Sequence, residues 1–257
     1  MSGVAELRYA PPNNPTPLGR RLTSVVERRD YGPYVVISAA DPGGPDPRPG
    51  QFYMLTAAER WGGGDDERPF LPRAFSVMRA RDGVLDFLLE DVGPGTNRLC
   101  ELDRGDGLHL LGPLGNGFAP PRDGRRPVLV GGGVGIAPLV MLDPATTLLG
   151  FRDAAHAEGA MLIPGAQVAT DDGSVGHHGF VTDLLDLAGR IEVYACGPPP
   201  MLEAVAALCN AAGVPAQLAM ESGMACGFGA CFGCVVHTRR GYVRLCVDGP
   251  VIEAAEL

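Results

Sequence analysis

Four cysteines near the C-terminus have a spacing that suits an iron–sulfur cluster. Cys226, Cys231, Cys234 and Cys246 follow the pattern C-x4-C-x2-C-x11-C. A plant-type [2Fe–2S] cluster takes its thiolate ligands at such a spacing. Glycines between the first three cysteines let the backbone wrap closely and direct N–H groups at the sulfurs, which stabilises an anionic cluster. The pattern therefore predicts a [2Fe–2S] cluster with these four ligands.

A structural zinc site and a disulfide framework are the alternatives for these cysteines. Zinc usually takes paired short spacings, whereas here one C-x2-C lies inside a Gly-rich loop. In a chain without an export signal, crowded cysteines hold a metal or a cluster more often than disulfides. Cys100 and Cys209 lie outside the pattern and are interpreted as ordinary buried thiols.

The segment R-A-F-S-V over residues 73–77 carries groups that could bind a flavin nucleotide. It resembles the R-x-[YF]-S-[TIV] motif of the ferredoxin–NADP reductase superfamily. Arg73 can clamp a pyrophosphate with two parallel hydrogen bonds. Further along the strand, Phe75 can pack against the flavin, and Ser76 is a catalytic candidate near flavin N5. With Val77, these residues predict an FAD site, the alternative being an edge strand with a surface arginine.

A Gly-rich turn with a hydroxyl group follows at residues 92–96, V-G-P-G-T. Such a loop can present backbone N–H groups to phosphates, so Gly95 and Thr96 are added to the predicted FAD site. The run L-G-P-L-G-N-G-F at residues 111–118 closes the same region and is interpreted as a structural turn.

Two further motifs predict a site for NAD(H). G-G-G-V-G-I-A-P at residues 131–138 follows an apolar strand and opens a helix, where glycines and helix N–H groups can receive a pyrophosphate. Y-A-C-G-P at residues 194–198 has the same strand–turn–helix form, and in the reductase superfamily this turn lies beside the nicotinamide. The site residues assigned are Gly131, Gly132, Gly133, Gly135, Cys196, Gly197 and Pro198, with Cys196 as a catalytic candidate. The alternatives are a buried strand-end thiol at Cys196 and an unrelated phosphate ligand.

The elements that must position these motifs change character along the chain. From about residue 20 to residue 112, short apolar segments separated by turns predict an antiparallel barrel or sandwich. Beyond the Pro/Arg-rich stretch 120–126, alternating apolar and helix-like runs predict a parallel sheet with crossover helices. The predicted strands and helices of this half are 127–130, 147–151, 166–170, helix 181–187, 192–195 and helix 201–209. The first crossover leaves room for a stubby helix or an irregular segment only.

These patterns predict an α+β multidomain fold. The domains are an antiparallel β-barrel for FAD at residues 19–120, an α/β parallel-sheet domain for NAD at residues 125–215, and a small [2Fe–2S] domain at residues 216–257. The last contains two predicted strands, 234–238 and 242–246. Residues 1–18, rich in Pro and Asn, are expected to be a loose lead-in.

Composition limits the classes of function. The chain has 257 residues, 46% of them hydrophobic, which is enough for a substantial core. Its net charge of −9, with arginine as the only fixed cation, argues against nucleic-acid binding. We identify neither a signal peptide nor a membrane span, and therefore expect a cytoplasmic protein.

Taken together, the motifs resemble one family across nearly all of the chain, from about Arg20 to Pro250. The chain resembles the electron-transfer subunit of the B-type dihydroorotate dehydrogenases. Besides the motifs above, the resemblance includes P-G-Q-F at residues 49–52, A-T-D-D-G-S at 169–174, E-S-G-M-A-C-G at 221–227 and C-V-D-G-P at 246–250. The chain departs from the family after Arg73, where Ala74 and Phe75 stand in place of the Pro-Ile-type pair that is common there.

The resemblance implies a mechanism and a partner. It implies that NAD(H) exchanges a hydride with FAD, that the cluster carries single electrons, and that an FMN-containing catalytic subunit oxidises dihydroorotate in pyrimidine biosynthesis within a heterotetramer. The alternatives are an NAD(P)H reductase subunit for a hydrogenase, a sulfite reductase or ferredoxin, and a redox sensor. NAD and NADP are both left open, because Arg152 could meet a 2′-phosphate or be a solvated arginine. Asp171 and Asp172 could contact ribose or cap a turn.

Overall fold

The computed structural model of the chain describes residues 19–62, 69–143 and 146–257. The expected lead-in at residues 1–18, residues 63–68, and residues 144–145 of the first crossover lie outside this description. Within the described ranges, no helix is long and apolar enough to span a membrane.

A closed antiparallel barrel forms the first part of the fold, which confirms the barrel among the two sequence-based alternatives. The strands are β1 (Arg20–Tyr31), β2 (Tyr34–Ala40), β3 (Phe52–Ala57), β4 (Arg73–Arg81), β5 (Val84–Glu90) and β6 (Gly107–Leu114), and helix α1 (Pro94–Cys100) follows β5. Their order around the barrel is β1-β2-β5-β4-β3-β6, and closure leaves no free strand edge. Tyr53 and Phe87 pack edge to face in the interior, with ring centroids 5.5 Å apart.

A two-residue turn sets the register of β4, the strand that carries R-A-F-S-V. Asp82 and Gly83 join β4 to β5 with φ angles of 52° and 72°. Positive φ at both positions is the geometry of a type I′ hairpin turn, which Asp-Gly favours. The hairpin pairs Val77 with Phe87 in the barrel core, so the neighbouring Ser76 faces the other side of the strand.

The second part is a mostly parallel sheet, as predicted. Its strands up to the cysteines are β7 (Arg126–Gly132), β8 (Thr146–Phe151), β9 (Gln167–Thr170), β10 (His177–His178), β11 (Ile191–Cys196) and β12 (Ala216–Ala219), with helices α2 (Ala154–Ala157) and α3 (Pro199–Ala212). Helix α3 contains the predicted segment 201–209. Prolines are tolerated in its first turn because those N–H groups lack helical partners, and Gly213 ends it with a φ of 65°.

Two segments expected to be helical are 3₁₀ helices. The glycine motif opens the 3₁₀ helix Gly133–Met141, which contains Pro138, a residue without a backbone N–H group. Of the two alternatives for the first crossover, the short helix is therefore the one observed. The predicted helix 181–187 is wrong as an α-helix, because only Val181–Leu184 are helical, again as 3₁₀. Val181 packs directly over Gly150 of β8: a Cβ atom added to this glycine would lie 2.9 Å from the Cβ atom of Val181. This contact keeps the segment close against the sheet. Further 3₁₀ turns are Arg122–Gly124, Glu158–Leu162 and Ala254–Glu256.

The cysteine region follows β12 and contains the antiparallel strands β13 (Val235–Thr238) and β14 (Gly241–Arg244). After it, β15 (Val251–Glu253) pairs antiparallel with β12 and completes the sheet in the order β10-β9-β8-β7-β11-β12-β15. The domain limits at 120, 125 and 215 stay predictions. The sheet nevertheless takes β12 and β15 from beyond residue 215.

The cysteine region also packs on the barrel. Phe52 and Met54 of β3 share a buried apolar cluster with Cys234 and Cys246. The amide of Asn116, from the predicted structural turn 111–118, donates a hydrogen bond of 2.9 Å to the carbonyl of Val247. The barrel and the cysteine region are therefore one packed unit along this face.

Candidate functional site

The barrel and the parallel sheet face each other across a cavity of about 250 Å³. Six of the residues predicted from the sequence line it together: Arg73, Phe75, Ser76, Thr96, Gly135 and Cys196. Val77, by contrast, is fully buried in the barrel core, and its N–H donates to the carbonyl of Gln51. The structure therefore brings the reductase-like motif and both Gly-rich turns to one place, while Val77 lies away from it.

Arg73 is held at the edge of this cavity by two contacts. Its Nη1 donates to the carbonyl of Leu71 at 2.6 Å, and its guanidinium lies over the ring of Trp61, 5.9 Å from the centroid. A Cβ atom on Gly95 would lie very close to Arg73 Nε, so a side chain there would displace the guanidinium from this position. The hydroxyl of Thr96 donates to the carbonyl of Gly93 and stabilises the same turn.

A second, larger cleft of about 570 Å³ lies beside the first. Of the predicted nucleotide residues, Gly132, Gly133 and Pro198 line it, and Val134 lines both cavities. Gly131 lies beneath, where a Cβ atom would be 3.0 Å from Ile136 and from Leu149. Gly131 therefore permits close packing of the loop on the sheet.

The two nucleotide motifs touch through their backbones. A Cβ atom on Gly135 would lie 2.5 Å from the Cα atom of Gly197 and 2.6 Å from the carbonyl carbon of Cys196. A Cβ atom on Gly197 would in turn meet Met201 and the N–H of Gly132. Both loops can approach one ligand because neither carries side chains at the contact.

The thiol of Cys196 is buried beside an acidic residue that sequence reasoning missed. Burial, and then the charge of Glu221, raise the pKa of Cys196 well above its usual value, so the thiol is neutral. Desolvation likewise raises the pKa of Glu221, which lines the smaller cavity with Met220, Ser222 and Met224. The available signal was the position of Glu221 five residues before the first cluster cysteine.

The four cysteines are brought together as two neighbouring pairs. The Sγ atoms of Cys234 and Cys246 are 3.2 Å apart and buried, whereas Cys231 is exposed and interacts with Cys226. Burial raises the pKa of Cys246 to about 12, with further contributions from Cys234 and Cys226. In the described part of the chain, no three or more His, Cys, Asp or Glu side chains meet the geometry of a closed metal site.

The loop around the cysteines nevertheless suits an anionic sulfur cluster. Burial by itself would raise the pKa of Cys226, but hydrogen bonds from the backbone at residues 228, 230 and 231 outweigh it and lower the pKa to about 6. The N–H of Gly233 points at the sulfur of Cys231, at 3.4 Å. Amide donors aimed at several sulfurs stabilise thiolates and are the usual surroundings of an iron–sulfur cluster. The donor set therefore fits the predicted cluster.

Known proteins are similar to this sequence over most of its length. The family model described as the iron–sulfur cluster binding domain of dihydroorotate dehydrogenase B matches residues 221–257. The electron transfer subunit of dihydroorotate dehydrogenase B (NAD⁺) from Clostridium acetobutylicum is 38% identical over 218 residues, covering 82% of this chain and 86% of that protein. The chain belongs to the family of dihydroorotate dehydrogenase B electron transfer subunits. The subunit of this family from Geobacillus kaustophilus is also 38% identical, over 232 residues, with 82% and 86% coverage.

Solved structures agree with the fold of the family. A structure of the NADH-dependent reduced ferredoxin–NADP oxidoreductase, studied for flavin-based electron bifurcation, matches with a TM-score of 0.77 and 27% identity, over 91% of this chain and 88% of the other. A ferredoxin–NADP⁺ reductase from Neisseria gonorrhoeae matches over 76% of this chain and 92% of the other, with a TM-score of 0.60. At 18% identity, the latter supports the fold alone.

Proposed function

We propose that this chain relays electrons between NAD(H) and an FMN-containing dihydroorotate dehydrogenase subunit, through FAD and a [2Fe–2S] cluster, in pyrimidine biosynthesis. The contiguity of the three candidate sites carries the proposal. The nucleotide cleft and the flavin cavity share Val134. Residues 220–222 and 224 form a wall of the flavin cavity, and the chain then runs directly into Cys226. Bound FAD would exchange electron pairs with the nicotinamide and single electrons with the cluster.

The flavin-binding roles fall on β4 and the turn before α1. Arg73 binds the FAD pyrophosphate, and Gly95 leaves room for its guanidinium. Phe75 packs against the flavin, Ser76 presents its hydroxyl to the reactive edge, and Thr96 stabilises the phosphate-facing turn. A role for Val77 would be limited to supporting the strand from the core, given its burial.

The nucleotide roles fall on the two loops that touch. Gly132 and Gly133 receive the pyrophosphate, and Gly131 and Gly135 allow the loops to pack. Cys196, Gly197 and Pro198 lie beside the nicotinamide end, where the neutral thiol of Cys196 excludes water without adding charge. The four cluster cysteines form the outlet towards the partner.

Exposed apolar side chains around the cluster support a docking face for the catalytic subunit. Phe228 and Phe232 of the cysteine loop are 44% and 62% exposed, and Tyr242 of the adjacent hairpin is 79% exposed. Exposed aromatic side chains grouped on one loop and on the hairpin that follows it support such an interaction surface. We propose that a catalytic subunit binds here, that the assembly is a heterotetramer, and that it acts in the cytoplasm.

The direct test of the proposal is the spectrum and metal content of the purified full-length chain. We expect bound FAD, two iron atoms per chain and flavin plus iron–sulfur absorption, because the cavities and the cysteine loop fit these groups. NADH should bleach the flavin and reduce a dye acceptor. A folded protein that contains zinc but no iron, or one that NADH fails to reduce, would contradict the proposal.

Replacing Arg73 with Ala should weaken FAD retention. Each charge-assisted hydrogen bond lost to the pyrophosphate is worth about 1.5–3 kcal/mol, or roughly 10- to 150-fold in affinity. Gly95→Ala should act in the same direction, because the new Cβ atom would displace the guanidinium. Flavin content and Kd are measured by fluorescence after dialysis.

Arg81→Ala is the matched control, since Arg81 lies at the far end of the same strand and is exposed. Iron content should be unchanged in all three variants. Full flavin retention in Arg73→Ala would refute the role assigned to this arginine.

A further inference from the structure

The nucleotide cleft contains a position at which nucleotide-binding sheets distinguish NAD from NADP, and the following inference rests on the proposed function. In such sheets, an acidic residue about 20 residues beyond the glycine loop binds the ribose hydroxyls, whereas an arginine there accommodates a 2′-phosphate. Arg152 occupies this place, directly after β8, and lines the cleft. By its position alone it would favour NADP.

Arg152 is not free to bind a phosphate, because the barrel supplies a carboxylate that pairs with it. Nη2 of Arg152 donates to Oε1 of Glu90, the last residue of β5. The side chain of Glu90 is 16% exposed, whereas that of Arg152 is 59% exposed. The carboxylate is therefore the anchored member of the pair, and the guanidinium bends towards it.

Glu90 is itself held in place from the nucleotide side. Nε2 of His156 lies 3.3 Å from the same Oε1 atom, and Nδ1 of His156 lies 2.6 Å from Oδ1 of Asp153. The ring of Tyr34 packs edge-on against His156, with centroids 5.7 Å apart. These contacts hold Glu90 at the cleft through groups of the protein itself.

The charge of the cleft reinforces the effect of the pair. Among the described residues that line it, Arg152 is the only lysine or arginine, while Glu90 and Asp171 are both carboxylates. A 2′-phosphate adds about two negative charges, comparable to a phosphoryl group on a side chain. It would have to compete with Glu90 for the guanidinium and would also face Asp171.

We propose that Glu90, contributed by the flavin-binding barrel, makes the cleft select a ribose 2′-hydroxyl over a 2′-phosphate by holding Arg152 in an ion pair. Specificity for NAD(H) therefore depends on a residue outside the nucleotide-binding sheet. Removing the carboxylate frees Arg152 and allows the 2′-phosphate to bind.

The test compares Glu90→Gln and Glu90→Ala with the unmodified full-length chain in two assays. The first is the ratio of kcat/KM for NADPH to that for NADH, with ferricyanide as acceptor. The second is calorimetric Kd for 5′-AMP and for adenosine 2′,5′-bisphosphate, which does not depend on turnover. We expect the kcat/KM ratio and the ratio of the two Kd values to shift towards the 2′-phosphorylated compound by about tenfold, the size expected for one charge-assisted hydrogen bond.

The double variant Glu90→Gln/Arg152→Ala should lose this gain, because the freed guanidinium is then absent. Glu101→Gln is the matched control, since Glu101 pairs with Arg60 on the exposed barrel surface. Unchanged ratios in both Glu90 variants, or a gain that persists in the double variant, would overturn the inference. Failure of the proposed function would show differently, as an absence of NADH-driven dye reduction by the unmodified chain.

Discussion

Cys231→Ser is expected to remove the iron–sulfur cluster and to leave NADH-driven flavin reduction in place. One of four thiolate ligands is lost, so iron content should fall from two atoms per chain to nearly none. Cys231 is exposed, so its replacement leaves the buried core intact. In the described residues, neither the flavin cavity nor the nucleotide cleft includes any part of the loop 226–234. The variant should therefore still accept electrons from NADH on FAD, but it should no longer pass them on through the cluster.

The measurements are iron content, visible and EPR spectra, and stopped-flow bleaching of FAD by NADH. Cys234→Ser and Cys246→Ser are less informative, because both thiols are buried in the packing between the cysteine region and the barrel. Cys100→Ser is the matched control, being a partly buried thiol on α1, remote in sequence from the loop. A variant of Cys231 with full iron content, or one with bound FAD that NADH can no longer reduce, would contradict the separation.

Dihydroorotate oxidation is expected to require a second protein altogether. In the proposed function, a flavin and a nicotinamide nucleotide occupy the two cavities between the barrel and the sheet. We assign no described residue to binding and deprotonating a carboxylated pyrimidine beside a second flavin. The isolated chain should therefore reduce dyes with NADH but form no measurable orotate, and adding the FMN-containing catalytic subunit should produce orotate coupled to NAD⁺ reduction. Robust orotate formation by the chain alone would overturn the relay.

The docking face can be tested in the same experiment with Phe232→Asp. Phe232 is 62% exposed and has a φ of 59°, a backbone conformation that Asp tolerates better than most residues. The introduced charge should lower the rate of orotate formation coupled to NAD⁺ reduction at least tenfold in the presence of the catalytic subunit, while NADH–dye activity stays near its original level. Met161→Asp, at a residue 59% exposed on the nucleotide side, is the control. Equal rates of coupled orotate formation in both variants would show that the catalytic subunit binds to another surface.

The local chemistry of this chain could be predicted from the sequence because it is encoded in short segments. The cysteine spacing, R-A-F-S-V and the two glycine motifs each need only a few consecutive residues, and the barrel and sheet follow from their apolar periodicity. Helix type was less accessible: residues 181–187 have helical periodicity, but contact of Val181 with Gly150 flattens the segment. Packing against a distant strand decided that outcome.

What the sequence missed are contacts across long separations. Arg152 was considered for a 2′-phosphate or as a solvated arginine, but its partner Glu90, 62 positions away in the barrel, was not identified. Glu221 reaches Cys196 only because β12 lies beside β11. Val77 shows the converse, because its motif assigned it to the flavin while strand alternation directed it to the core. Such relations need the tertiary arrangement, which single-sequence periodicity does not contain.

The return of the chain to the sheet after the cysteines has a consequence for modularity. The chain leaves β12 at Ala219 and re-enters at Val251, its paired position, and Met220 N–H donates to the carbonyl of Pro250 at 2.9 Å. The segment between these two residues is therefore an insertion into the sheet whose two ends are in contact. Insertions with adjacent ends are tolerated well by the fold that carries them. A short hairpin turn could replace it without re-threading the sheet, leaving Phe52 and Met54 to be re-covered. The sheet is therefore continuous across the start and the end of the cysteine region, and it is the packing on β3 that joins this region to the barrel.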